Sequence, residues 1–155
     1  MSKPNRPKTM DFLLANICHL HHMRARQLFE AIGLHRGQPQ VLLALWEQEG
    51  LTQTELAGRL KITPATVTKM LQRMEKTGFI QRKPDAQDQR VSRVHLTPAG
   101  RAIRRDVESV WKTMEAETFA NFTVEERGLL RRFLLQMLEN LLTAVQVETP
   151  ARPLF

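Results

Sequence analysis

LTQTELAGRLKITPATVTKMLQRMEKTGFIQRKPDAQDQRVSRVHLT, residues 51–97, is the stretch that decides the fold. Thr52 is followed three residues later by Glu55. That is a capping box, in which each side chain satisfies a backbone N–H that the first helical turn leaves without a partner. The helix runs to about Leu60 and turns Leu56, Ala57 and Leu60 inward. Lys61 and Ile62 turn the chain, and Thr63 caps a second helix whose first residue is Pro64, where a missing N–H costs nothing. Val67, Met70, Leu71 and Met74 recur at i, i+3, i+4 and i+7, so that side is buried. The other side carries Ala65, Thr66, Thr68, Lys69, Gln72 and Arg73, with no acid among them. Small hydroxyls, an amide and long cations are the groups that reach base edges and phosphates in a major groove. Gly78 supplies the stop.

Two strands follow, Phe79 to Lys83 and Ser92 to Leu96. In the second, Val94 and Leu96 alternate with Arg93 and His95, a period of two. The polar connection between them, PDAQDQR, holds Asp85, Asp88 and Arg90. Two short helices and a basic hairpin in this order predict a winged helix-turn-helix. Its wing reaches an adjacent minor groove, where an inserted arginine reads groove width and potential. The expected DNA contacts are Gln53 and Thr54 on the first helix, and Thr63, Pro64, Ala65, Thr66, Thr68, Lys69 and Arg73 on the second. On the wing they are Arg82, Lys83, Asp88, Arg90 and Arg93.

The same stretch resembles the MarR (multiple antibiotic resistance regulator) family of transcriptional regulators. The likeness rests on the T-x-x-E-L-A start, on the V-T-x-x-x-x-x-M-E-x-x-G-x-I-x-R run and above all on the wing. There Asp85, Asp88, Arg90, Val94, Leu96, Thr97 and Gly100 match D-x-x-D-x-R-x-x-x-V-x-L-T-x-x-G. The resemblance implies that Arg90 enters the minor groove and that Asp88 holds it in place. It also implies a two-fold dimer through the N- and C-terminal helices, and small, often aromatic and anionic effectors bound where those helices meet the reader. At that junction the expected effector residues are Cys18, His22, Arg26, Trp46 and Trp111. An apolar cavity with a few polar groups suits such a ligand.

The charge distribution agrees with a nucleic-acid partner. Of the net +7, residues 51–100 contribute +5 from 9 basic and 4 acidic side chains; residues 1–50 contribute +2 and residues 101–155 are neutral. Phosphate neutralisation is local, so a patch is more telling than a basic average. No helix has a uniformly basic face with aromatic anchors, and no apolar run reaches the ~18 residues of a membrane span. The N-terminus MSKPNRPKTM lacks the apolar core of a signal peptide, so the protein is expected to be cytoplasmic. One cysteine permits no intramolecular disulfide.

In chain order, residues 1–8 form an arm broken by Pro4 and Pro7. A helix spans Thr9 to Ile32, with Phe12, Leu13, Ile17, Leu20, Leu28 and Phe29 on its apolar face. Gln38-Pro39 opens another that carries Val41, Leu42, Leu45 and Trp46. Thr97-Pro98 starts a long helix to about Asn121, and Thr123 with Glu126 forms a second capping box. The last helix, to residue 147, repeats Leu129, Leu130, Phe133, Leu134, Met137, Leu138, Leu141, Leu142 and Val145. So wide a stripe at the end of a small chain asks for a second subunit. The fold class expected is mainly α with a small β-hairpin wing, a winged helix-turn-helix (33–97) between N- and C-terminal dimerisation helices (9–32 and 98–147), and a tail over 148–155. A homodimer would present two readers to a pseudo-palindromic double-stranded DNA operator, at half-sites about one turn apart.

Other chemistry is thinner. Cys18-His19-Leu20-His21-His22-Met23 contains metal-ligand types, but a structural zinc site wants four ligands and neither a second cysteine nor H-E-x-x-H is present. No metal and no cofactor is expected. Cys18 also suggests a thiol-based redox regulator, although the sequence has no tyrosine and the peroxide sensors of the MarR family bond their sulfur to tyrosines. No nucleophile sits in a catalytic motif, so an enzyme is not expected. The function read from the sequence is a dimeric, sequence-specific transcriptional regulator, a repressor released by a small effector. A winged-helix protein-interaction module without DNA is the reading from a different class, and the acid-free helix face argues against it.

Overall fold

The computed structural model describes residues 9–145. The expected arm over 1–8, the end of the last helix at 146–147 and the tail over 148–155 lie outside the described residues.

Helix α1 (Met10–Ala31) is capped by the Thr9 hydroxyl, which accepts from Phe12 N–H. Helix α2 (Gln38–Glu47) begins with Pro39 in its first turn. The strand β1 (Leu51–Thr52) leads into α3 (Gln53–Leu60), and α4 (Pro64–Lys76) follows. The capping box forms as read from the sequence. Glu55 N–H donates to Thr52 Oγ1 at 3.2 Å and Thr52 N–H donates to Glu55 Oε2 at 2.7 Å. Between the two helices Lys61 takes the left-handed conformation, φ 51°, that closes α3. The hairpin is β2 (Ile80–Pro84) with β3 (Ser92–Leu96). Its register pairs Ile80 with Leu96, Arg82 with Val94 and Pro84 with Ser92.

The sheet differs from expectation by one strand. β1 pairs with β3, Leu51 opposite Val94 and Thr52 opposite Arg93, so the order is β1-β3-β2. Two residues are too few for alternation to register in the sequence, and Thr52 already has a reading as a helix cap. The core lies under this sheet: Leu34, Val41, Leu42, Leu45, Leu56, Val67, Leu71, Met74, Ile80, Val94 and Leu96 are buried. Leu60 and Met70, expected inside, are half-buried.

The helix expected from Pro98 to Asn121 is interrupted. α5 (Pro98–Ala102) and α6 (Arg104–Thr118) are separated by Ile103, which stays right-handed at φ −64°, ψ −10°. Asn121, at φ 65°, lies beyond the end of α6, and Thr123 and Glu126 form the expected second capping box at α7 (Val124–Val145). By internal packing the chain forms two units that divide between Lys112 and Thr113.

The start of α5 explains the glycine of the wing pattern. A Cβ on Gly100 would stand 2.0 Å from the Phe79 carbonyl oxygen. That oxygen is fixed by Thr97 N–H at 3.1 Å, so it has nowhere to go. Gly100→Ala is expected to lower stability by ~1–3 kcal/mol, the usual effect of overpacking. A urea melt beside the wild type checks it; an unchanged midpoint would show that α5 can move aside.

Candidate nucleic-acid interface

Helix α4 presents the face that the sequence reading assigned to DNA. Its N-cap Thr63 accepts from Thr66 N–H at 3.3 Å, and the two hydroxyls bond each other at 2.9 Å. Val67, Leu71 and Met74 point into the core. Ala65, Thr66, Lys69, Gln72, Arg73 and Lys76 are exposed. Thr68 is half-buried; its hydroxyl donates to the Pro64 carbonyl at 2.9 Å and also meets the Gln53 side-chain amide. Gln53 therefore ties the start of α3 to the first turn of α4, while Thr54 beside it is exposed.

The wing tip is held by Asp85. Its Oδ1 accepts from the N–H groups of Gln87 (2.7 Å) and Asp88 (3.2 Å), and its other oxygen accepts from the Arg93 guanidinium. Asp85 N–H donates to the Val91 carbonyl at 2.8 Å, closing the loop. Arg93 also donates to the Gly50 carbonyl at 2.8 Å. The Asp85 carboxyl is held down to about 2, first by Arg93 and then by the two N–H groups. That value lies below the ordinary 3.8, so its contribution is complete above 3.8 and is lost only as pH falls through about 2.

Arg90 differs from its neighbours. Asp88 Oδ1 accepts from the Arg90 backbone N–H at 3.0 Å, so Asp88 fixes the backbone of Arg90 and not its guanidinium. Among the described residues no carboxylate engages the side chains of Lys69, Arg73, Lys83 or Arg90. Two cations expected to face DNA are engaged within the chain: Arg93 as described, and Arg82 by Glu75.

The sequence reading missed Glu49 and the anchoring role of Asp85. Glu49 accepts from Arg101 at 2.8 Å and from Leu96 N–H at 3.3 Å, and stands 3.6 Å from His95 Nδ1. Glu49 and Arg101 are 52 positions apart, so no local spacing announces them. Asp85 was legible in principle, because aspartate after proline in a polar turn favours a bond to its own backbone two residues on.

The five expected effector residues are placed as follows. Cys18 and His22 are exposed on α1. Arg26, also exposed, pairs with Glu30 at 2.7 Å. Trp46 Nε1–H donates to the Gly100 carbonyl at 3.0 Å, with the Arg104 guanidinium 5.8 Å from its ring centre. Trp111 stacks edge-on against Phe29 at 5.2 Å. Burial, and then the neighbouring His22, lower the basicity of His21. Among the described residues no three His, Cys, Asp or Glu side chains are grouped to hold a metal ion.

Comparison with known proteins agrees with this arrangement. A model of the MarR family matches residues 34–92. The HTH-type transcriptional regulator TtmR of Methylorubrum extorquens is 32% identical over 150 residues, covering 94% of this chain and 76% of TtmR. The chain belongs to the MarR family. A variant of S. aureus MepR superposes with a TM-score of 0.77 at 30% identity, over 86% of this chain and 98% of MepR. A second MepR variant, bound to an oligodeoxyribonucleotide, gives 0.64 at 30% identity, over 87% and 99%. The helices and three-stranded sheet are thus the winged-helix fold of MarR proteins, and the chain is a transcriptional regulator of that family, not an enzyme.

Proposed function

We propose that this MarR-family protein is a homodimeric, sequence-specific DNA-binding repressor that acts in the cytoplasm. The observation that carries the reading is the exposed side of α4. Small polar groups and the cations Lys69, Arg73 and Lys76 stand there without an acid. The exposed Arg90, whose guanidinium no carboxylate engages among the described residues, stands on the wing of the same winged-helix unit. Phosphate contacts give affinity and groove contacts give sequence preference. MepR carried on an oligodeoxyribonucleotide supports the partner class.

The test is fluorescence anisotropy with the DNA upstream of the protein's own gene against scrambled DNA at two salt concentrations. A preference of ~1000-fold or more is expected for a specific regulator. Equal, weak binding to both would count against it. Lys69→Ala and Arg73→Ala are each expected to lower the salt slope by about one, if each side chain neutralises one phosphate. An unchanged slope would remove that residue from the contact.

Release from the operator is proposed to follow binding of a small aromatic or anionic effector among Cys18, His22, Arg26, Trp46 and Trp111. A ligand that favours one spacing of the two readers shifts the dimer toward it. Titration of salicylate into the protein–DNA complex, with no change in anisotropy, would remove this class of effector. The exposure of Cys18 favours a second trigger, oxidation of its thiol. Loss of binding after peroxide, restored by a thiol and absent in Cys18→Ser, would select it.

A further inference from the structure

We infer that Arg82 and Glu75 form a brace that fixes the wing relative to the reading helix, so that Arg82 is a positioning residue and not a DNA contact. The inference rests on the DNA-binding reading above.

A cation on a wing strand is naturally taken for a phosphate ligand, yet strand parity argues otherwise. Successive side chains of a strand point to opposite faces. Ile80 is buried and Gln81 exposed; Arg82 is half-buried and Lys83 exposed. Arg82 thus shares the inward face with Ile80, while Lys83 stands on the outward one. Its guanidinium reaches Glu75 on the last turn of α4. Nε donates to Glu75 Oε2 at 2.9 Å, and Nη2 donates to the same oxygen. Each side chain is only about a third exposed, 31% for Arg82 and 30% for Glu75. The Arg82 hydrogen bond is the main cause that lowers the pKa of Glu75, and the same bond to Glu75 raises that of Arg82.

What the pair spans gives it a purpose. Between α4 and β2 the chain passes through Thr77, Gly78 and Phe79, with Gly78 at φ +81°. Phe79 N–H donates to the Met74 carbonyl at 3.0 Å and closes the helix. Gly78 takes the left-handed conformation in that joint, which its missing Cβ permits. The pair bridges it from one side to the other, and the direction of β2 decides where Arg90 arrives. The second wing strand has its own anchor, Arg93 on Gly50.

The experiment uses the full chain and a duplex selected from a random pool by the wild-type protein. Arg82→Glu, Glu75→Arg and the double swap are compared by anisotropy, with thermal unfolding of each. The swap has the net charge of the wild type. For a brace, each single change is expected to weaken binding by about tenfold, and the swap to recover to within ~3-fold. In Arg82→Gln the effect of Arg90→Ala should shrink, a coupling that mere loss of stability would not produce. If Arg82 touches phosphate, the loss persists in the swap and Arg82→Gln lowers the salt slope by about one. Either result overturns the brace, as does wild-type binding by every variant. Should a charge-reversed single fail to fold, the Arg82→Gln slope decides alone. No preference of the wild type for its selected duplex would instead defeat the DNA reading itself.

Discussion

The double change Leu134→Asp/Leu138→Asp is expected to give a monomer that no longer holds its operator. Both residues lie on the apolar stripe of α7, four apart, and are exposed in the single chain. They are not isolated. No described residue of α7 is buried, and Phe133 (52% exposed), Leu141 (58%) and Val145 (63%) continue the band. α1 has the same property, with Phe12, Ile17 and Leu20 open and only Ala25 and Phe29 buried. Isolated apolar residues on a surface need no explanation, but two long bands of them mark an interface. In the proposed homodimer a second copy would supply matching surface, because a two-fold contact is self-complementary. Carboxylates placed in such an interface must be desolvated without partners, at several kcal/mol each. With only one reader per particle, the gain from simultaneous binding to two half-sites is lost, ~100-fold or more. Light scattering reads the mass and anisotropy the affinity. A dimer that persists in the variant would place the interface elsewhere.

The sequence was most informative where physics is local. The capping boxes at Thr52 and Thr123 and the Thr63-Pro64 start depend on neighbours within four residues and form as read, and the expected buried side of α4 holds for Val67, Leu71 and Met74 but not for the half-buried Met70. The apolar stripe of α7 was legible too, because its width exceeds what a small core can use, and its residues stay exposed or half-buried. What escaped depends on residues far apart in the chain. β1 exists because Leu51 and Thr52 meet Val94 and Arg93, and a two-residue strand has no pattern of its own. The acid partners of Arg82, Arg93 and Arg101 come from other elements or from across the hairpin, so four wing cations looked alike when only some are free. Gly100 matched the family pattern, but its reason, the carbonyl of Phe79 two ångströms from any Cβ, is a packing fact.

Arg90→Ala is expected to lower operator affinity by about ten- to a hundredfold while leaving the fold and the dimer intact. The backbone around it is over-determined. Asp88 accepts its N–H, Val91 N–H returns to the Asp88 carbonyl at 2.9 Å, and Asp85 ties the loop to Arg93. The side chain beyond that frame is exposed and contributes nothing to the core, so truncation costs little stability. An unpaired guanidinium on a fixed backbone is suited to a narrow minor groove, whose potential is enhanced in A-tracts. The prediction is therefore two-part. Affinity falls, and the preference of the wild type for duplexes with A-tracts flanking the half-sites disappears. Arg90→Lys should keep more of the affinity than of the preference, since an ammonium retains the charge without the planar fork. Anisotropy on paired duplexes that differ only in the flanks measures both quantities, and circular dichroism confirms the fold. Equal binding by wild type and Arg90→Ala on both duplexes would take the wing out of recognition and leave α4 as the whole reader.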